Sequence, residues 1–313
     1  MMIVWIIIFV ISLAVLIKAS DYFVESAKKI GLYLKMPSFF IGVVIIGIGT
    51  SLPEFVASIV SVIKNSSEIV IGNVLGSNIT NILLILGIAG IIRQRTKIKQ
   101  DLNTIELPFL LTTAILFGFM IWDKKFHLAE ALICLAAFVF YLLNNFKQKS
   151  SLNSEINGTE SKHKPPDWLT WGQVVLSPVF IFLGANYTIE SMIKIAHIMK
   201  IGPEIIALSA VSLGTSLPEV IVTIKAVKIG NPEMALGNII GSNIFNTLLV
   251  AGTAGLITSL VIPLTIMTFA LPVFVTATFI FCLVVMDKKI MRLESILLLL
   301  FYIFYLGKVF HLF

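Results

Sequence analysis

The sequence predicts an all-α integral membrane protein, with ten transmembrane helices arranged as two inverted five-helix repeats. Three observations predict it: the composition, the spacing of the apolar segments, and a pair of polar motifs written twice. Of 313 residues, 58% are hydrophobic and 13% charged, and the mean hydropathy is +0.99. Soluble domains sit near ~45–50% apolar and ~25% charged. This balance excludes an ordinary soluble enzyme, a disordered chain and a nucleic-acid-binding domain, despite the net charge of +6. In a membrane protein the same excess belongs to Lys and Arg in cytoplasmic loops. Cys134 and Cys282 both lie in apolar runs and read as small packing residues.

A spanning helix needs about 20 mostly apolar residues. Ten such segments are legible, at 2–18, 38–63, 69–92, 104–122, 127–146, 169–193, 203–229, 234–257, 263–286 and 291–310. The first lacks the basic flank and cleavage site of a secretory signal and is read as a helix. The polar stretch 147–167, with Pro165 and Pro166 at its end, reads as a linker between a first repeat over 1–146 and a second over 168–313. On this layout one face collects 17 of the 23 Lys and Arg. That bias predicts both termini outside and the linker in the cytoplasm.

The repeat is read from identities. Gly49-Thr50-Ser51-Leu52-Pro53-Glu54 recurs letter for letter as Gly214-Thr215-Ser216-Leu217-Pro218-Glu219. At the same offset of 165, Gly72 to Asn81 returns as Gly237 to Asn246 with seven of ten positions identical. Leu107-Pro108 and Asp123-Lys124-Lys125 return at an offset of 164. Five helices is an odd number, so successive halves must enter the bilayer in opposite orientations. Inverted repeats are a signature of secondary transporters, with the substrate site near the midplane where the halves meet.

Of 17 acidic residues, only Glu54 and Glu219 lie deep inside apolar segments; the others are expected at segment ends or in loops. A carboxylate at the bilayer centre costs on the order of 2.5–3.5 kcal/mol and normally faces a cavity or an ion. Gly47, Thr50, Ser51 and Glu54 follow helical spacing and share one face, as do Ser212, Thr215, Ser216 and Glu219. Pro53 and Pro218 lack an N–H, and each is expected to kink its helix and loosen nearby carbonyls. Ser77 and Asn81 share a face of the next helix, with Ser242 and Asn246 as counterparts. Gly72, Gly76, Gly237 and Gly241 have the spacing of close helix–helix contacts. Asn78 and Asn243 point elsewhere, towards supporting hydrogen bonds or helix–helix contact. Carboxylate, hydroxyl, amide and carbonyl oxygens without sulfur or imidazole suit Ca²⁺, Mg²⁺ or Na⁺. Two glutamates neutralise one divalent cation, and flexible geometry favours Ca²⁺ over Mg²⁺. No nucleophile–base pair is visible, so an enzyme is not expected.

GTSLPE followed by GNxxGSNxxN, twice and in order, resembles the paired signatures of the calcium/cation antiporter superfamily, in particular its sodium/calcium exchanger branch of archaeal and bacterial type. The resemblance implies Na⁺/Ca²⁺ antiport by alternating access, as the first and sixth helices slide against the rest. It implies a Ca²⁺ site from the carboxylates of Glu54 and Glu219 with the carbonyls of Thr50 and Thr215. It implies Na⁺ sites that add Ser51, Ser77, Ser216 and Ser242 and the carbonyls of Gly47 and Ser212. Such exchangers usually have Asn at the position of Asn81 but Asp at that of Asn246, and potassium-dependent relatives tend to have Asp at both. Asn at both argues against potassium dependence and opens the ion ratio. An Asn is nearly isosteric with a protonated Asp, so if the family's Asp works protonated, Asn246 would keep the site's charge at −2. The rival transport reading is H⁺/Ca²⁺ antiport, and a more distant one is a cation channel. No cofactor is expected. The partners are Ca²⁺, Na⁺ and the bilayer, with no nucleic acid, and the chain is expected to be a monomer.

Overall fold

The structure is a computed structural model that describes residues 2–63, 67–92, 96–97, 100–155, 165–198 and 216–309. It is almost wholly helical. The first half contains α1 (Met2–Tyr33), α2 (Ser38–Thr50), α3 (Leu52–Ile63), α4 (Glu68–Thr80), α5 (Leu86–Ile92), α6 (Glu106–Met120) and α7 (Leu128–Glu155). The second contains α8 (Trp168–Ile198), α9 (Leu217–Lys228), α10 (Pro232–Ile244), α11 (Ala251–Ile257), α12 (Leu271–Met286) and α13 (Arg292–Val309). Wide π-helical turns interrupt the regular ladder at Ile41–Gly47 within α2, at Asn81–Ile85 between α4 and α5, at Phe245–Val250 between α10 and α11, and at Ile266–Ala270 before α12.

Among the described residues, six helices are long and apolar enough to cross a membrane, and the bent pair α2–α3 adds a seventh. The sequence predicts ten crossings. The remaining three segments fall short for separate reasons. Helix α6 has only 15 residues, α13 carries Arg292, Glu294 and Lys308, and of 203–229 only Ser216–Ile229 lies within the described residues.

Helix α1 runs well past the predicted end at residue 18. Beyond Lys18 the sequence stops being uniformly apolar and becomes amphipathic: Ala19, Ser20, Phe23, Val24, Ala27 and Ile30 are buried, while Glu25 and Lys29 are exposed. Counting apolar residues misses that half, whereas the three-to-four spacing carries it. Its counterpart α8 packs along it in antiparallel fashion. The Lys194 ammonium lies over the Trp5 ring, the Thr188 hydroxyl donates to Ser12 Oγ at 2.9 Å, and the Ser26 hydroxyl donates to Gln173 Oε1 at 2.9 Å. A Cβ on Gly184 would sit 2.9 Å from the Leu16 backbone, so only Gly permits this approach.

Two short ladders tie the halves together. Strand β1 (Thr96–Lys97) pairs antiparallel with β4 (Lys289–Ile290), and β2 (Lys125–Phe126) with β3 (Leu260–Val261). At the offset of 164, β3 is the copy of β1 and β4 the copy of β2. Each strand therefore pairs with the copy of the other. Asp101 and Lys288 add an exposed ion pair at 2.9 Å, and the ammonium beside it holds the Asp101 carboxyl below the usual carboxylate range.

In the most apolar 18-residue stretch of Val70–Ile92, 72% of the residues are buried, and in that of Pro232–Ile257 83%, against 17% in that of α1. The repeated motifs thus occupy the centre, and α1 and α8 stand at the edge with Ile3, Val10, Val175 and Trp168 facing outward. Large buried apolar side chains such as Phe23, Phe39, Phe40 and Phe117 pack around that centre. Its interior is polar, with Ser77, Asn78, Asn81, Asn238, Ser242, Asn243 and Asn246 each at most 3% exposed. In hydrocarbon such groups must find partners inside the protein.

Candidate cation site

The helix bearing the first acidic motif breaks at Ser51, where α2 and α3 meet at 40°. Ser51 has φ −88° and ψ 6°, and Ser216 has φ −88° and ψ 0°. Both serines are therefore non-helical: Ser51 separates α2 from α3, and Ser216 caps the start of α9. The expected kink at Pro53 moves accordingly. Pro53 and Pro218 occupy the first turn of α3 and α9, where a missing N–H costs nothing. Each proline starts a new helix instead of bending an old one. Glu54 and Glu219 fall in those same first turns, where the helix N-terminus favours negative charge.

Gly47, Thr50, Ser51 and Glu54 are all buried, and the break turns Thr50 and Ser51 towards the second half. The Ser51 hydroxyl donates to Glu219 Oε1 at 3.1 Å. The Thr50 hydroxyl lies 3.1 Å from Asn238 Oδ1. The Gly47 carbonyl accepts the Ser242 hydroxyl at 3.3 Å. Asn246 Nδ2 donates to Asn78 Oδ1 at 3.3 Å, while Asn78 Nδ2 donates to Thr247 Oγ1 at 2.7 Å. Asn78 therefore bonds across the two halves. Asn81 begins one π turn, Asn246 is the second residue of another, and Ser77 lies one turn before Asn81. Ser212 and Thr215 lie outside the described residues.

Glu219 Oε2, Ser216 Oγ, Asn246 Oδ1 and both polar atoms of Asn81 are buried and have no hydrogen-bond partner among the described residues. Each such atom costs roughly 1–3 kcal/mol. Several on facing elements, beside two buried carboxylates, make a donor set of hard oxygens suited to Na⁺ or Ca²⁺. Among the described residues no cluster of three His, Cys, Asp or Glu is present, so hydroxyl, amide and carbonyl oxygens would complete any coordination shell.

Two further residues of the repeated motif have roles that spacing alone does not assign. Asn73 Nδ2 donates to the Glu54 carbonyl at 3.3 Å and to Ser58 Oγ at 3.1 Å. Asn238 Nδ2 donates to Thr223 Oγ1 at 2.8 Å. Asn73 and Asn238 therefore brace the acidic helices from the neighbouring one, and the available signal was their place in both copies of the motif. Removing one such brace leaves buried partners unpaired. Asn238→Leu is expected to lower stability by about 1–3 kcal/mol, read as a fall in melting temperature of the purified protein.

The close packing rests on glycine. A Cβ on Gly42 would meet the Met234 carbonyl oxygen at 2.2 Å, and one on Gly241 the Val43 carbonyl oxygen at 2.7 Å. The π turn of α2 thus lies backbone to backbone on α10, which places Gly47 and Thr50 against Ser242 and Asn238.

The sequence model described as "Sodium/calcium exchanger protein" matches residues 4–147 and 169–310. The chain belongs to the sodium/calcium exchanger family. The sodium/calcium exchanger MaX1 of Methanosarcina acetivorans is 32% identical, over 97% of this chain and 98% of that protein. The membrane protein MJ0091 of Methanocaldococcus jannaschii is 31% identical over 94% of each. Solved structures of the sodium-calcium exchanger NCX_Mj superpose with a TM-score of 0.84 at 28% identity, covering 98% of this chain and 99% of that one. The chain is therefore a multi-pass membrane cation/Ca²⁺ exchanger, and its relatives are transporters, not enzymes.

Proposed function

We propose that the chain exchanges Na⁺ for Ca²⁺ by alternating access, with the ions held between two inverted five-helix repeats. The observation that carries this reading is the 3.1 Å bond from Ser51 to Glu219, which joins equivalent motifs of the two halves inside a buried polar centre. Glu54 and Glu219 supply the charge for one Ca²⁺, helped by the carbonyls of Thr50 and Thr215. Na⁺ ions share the glutamates and use Ser51, Ser77, Ser216 and Ser242 with the carbonyls of Gly47 and Ser212. Asn81 and Asn246 line the same centre.

The inverted arrangement is supported by two independent features. Helices α1 and α8 are repeat counterparts, and they run antiparallel. Strand β1 pairs with the copy of β2, not with its own copy, as opposite insertion of the halves requires. The ten-crossing count follows if α6, α13 and the segment 203–229 cross as the sequence predicts. The termini then face outside and the linker 147–167 the cytoplasm. The peripheral pair α1–α8 would slide against the central helices and expose the centre to one side and then the other.

In proteoliposomes an outward Na⁺ gradient at equal pH is expected to drive ⁴⁵Ca uptake. Uptake that follows a proton gradient and ignores Na⁺ would establish H⁺/Ca²⁺ antiport instead. Uptake with no counter-ion gradient at all would establish a channel.

Asn246 bears on the ion ratio. Asn78 Nδ2 is committed to Thr247 Oγ1 and the Asn243 carbonyl, so Asn78 Oδ1 faces residue 246 and needs a donor there. Asn provides it at any pH, whereas Asp provides it only when protonated. Asn246→Asp is accordingly expected to make exchange pH-dependent over a range where the parent is flat. Identical pH profiles would discard the idea that the neutral state matters.

A further inference from the structure

Glu106 stands at a segment end, as the sequence places the acids outside the two motifs, but it is not exposed there. It is the first residue of α6, yet only 2% exposed. Its Oε2 accepts the Tyr141 hydroxyl at 2.8 Å. Its Oε1 is buried with no hydrogen-bond partner among the described residues. Tyr141 is clamped by Phe109, one turn along α6, with rings stacked at 4.9 Å and 11°. Asn145, one turn along α7, is also 2% exposed, and its Nδ2 donates to the Tyr141 backbone carbonyl at 2.9 Å. Asn145 Oδ1 is a second buried oxygen without a partner. Glu106, held to the Tyr141 hydroxyl, and Asn145, held to the Tyr141 carbonyl, thus each keep one buried oxygen without a partner, and among the described residues no Lys, Arg or His pairs with the carboxyl.

A carboxyl buried in a membrane protein is paired, protonated or part of an ion site. One carboxylate without a cationic side chain is neutralised by one unit of positive charge. We propose that Glu106, Tyr141 and Asn145 form a site for a single monovalent cation, Na⁺ or a proton, separate from the two-glutamate centre. The repeat marks it as extra to the shared machinery. At the offset of 164, Tyr141 is repeated as Tyr305, but Glu106 falls on Ala270 and Asn145 on Val309. The second half therefore has the phenol without the carboxyl or the amide. All donors are hard oxygens, and a −1 carboxylate matches one charge and not two. The elements packed against the site bring Cys134 on α7, Cys282 on α12, whose thiol faces the Leu107 carbonyl, and Glu233 at the head of α10. The Asp101–Lys288 pair lies in the loop before α6.

The test is run on full-length protein carrying Glu54→Gln and Glu219→Gln, so that the central ions contribute nothing. Melting temperature is measured against Na⁺, with choline holding ionic strength constant, and against pH from 8 to 5. If the cation is Na⁺, the melting temperature rises by about 3 °C at saturating Na⁺. If it is a proton, the temperature rises as pH falls and ignores Na⁺. In either case adding Glu106→Gln is expected to erase the response. Should Glu106→Gln not fold, Tyr141→Phe, which removes one oxygen ligand and keeps the ring, is expected to shift the response to higher Na⁺ or, because the lost hydroxyl favours the carboxylate, to higher pH. A response that survives both substitutions unchanged, or no response to either cation, overturns the proposal. Exchange plays no part in the readout, so the outcome is independent of whether the central site exchanges Na⁺ or H⁺ for Ca²⁺.

Discussion

Glu54→Gln and Glu219→Gln, each made alone, are expected to reduce Na⁺-driven Ca²⁺ uptake by about 100-fold or more. Gln keeps the size and one oxygen of the side chain and removes its charge. A divalent cation taken out of water then faces one carboxylate in place of two. Breaking one partner of a buried charge pair costs roughly 3–5 kcal/mol. At about 1.4 kcal/mol per tenfold, that is at least two orders of magnitude in affinity. Both residues are 1% exposed, so solvent offers little compensation. The structure adds an asymmetry: Glu219 Oε1 accepts the Ser51 hydroxyl, which comes from the other half. Gln at 219 can still accept that bond, so the halves stay joined and the loss reports charge alone. Uptake within tenfold of the parent for either variant would show that the central acids are structural, and the proposed ion centre would fall with them.

Gly237→Ala is expected to destabilise the protein by about 3 kcal/mol, although Ala is the better helix former by about 1 kcal/mol. The added Cβ would lie 2.2 Å from the Phe39 carbonyl oxygen and 3.0 Å from Gly42 Cα. Both are backbone atoms, which cannot rotate away, so α2 and α10 must separate. The same separation stretches the Thr50–Asn238 contact and the bond from Ser242 to the Gly47 carbonyl. The melting temperature should therefore fall by several degrees and exchange should fall with it. A variant that melts and transports like the parent would mean that the two helices do not meet as closely as described.

The two predictions draw on different layers of information. The acids were legible because a charged residue inside an apolar run is costly, and two of them with the same neighbours at a fixed offset are hard to explain by packing. The serine breaks were nearly legible: proline marked the neighbourhood, but a proline serves equally well inside a kinked helix or in the first turn of a new one. Only the backbone at Ser51 and Ser216 decides between these. The amphipathic half of α1 was hidden because a search for apolar length discards Lys18, Asp21 and Glu25; Lys18 and Glu25 are exposed, and Asp21 pairs with Lys225 of α9 at 2.8 Å. The burial of Glu106 was hidden for a related reason. It stands at a segment end in sequence, yet α6 begins beneath Tyr141 of α7, and that is a contact 35 residues away.

The sequence by itself determined that the chain lives in a membrane, that it is written twice, and which two carboxylates and which hydroxyls and amides are shared by both copies. Those properties belong to composition and spacing, which the chain carries before it folds. The tertiary structure decided which oxygen meets which. It set Ser51 against Glu219, Thr50 against Asn238 and Asn78 against residues 243–247, and it buried Glu106. Such contacts depend on how closely two helices approach, and here that distance is governed by glycines whose missing side chains matter only once another backbone lies against them.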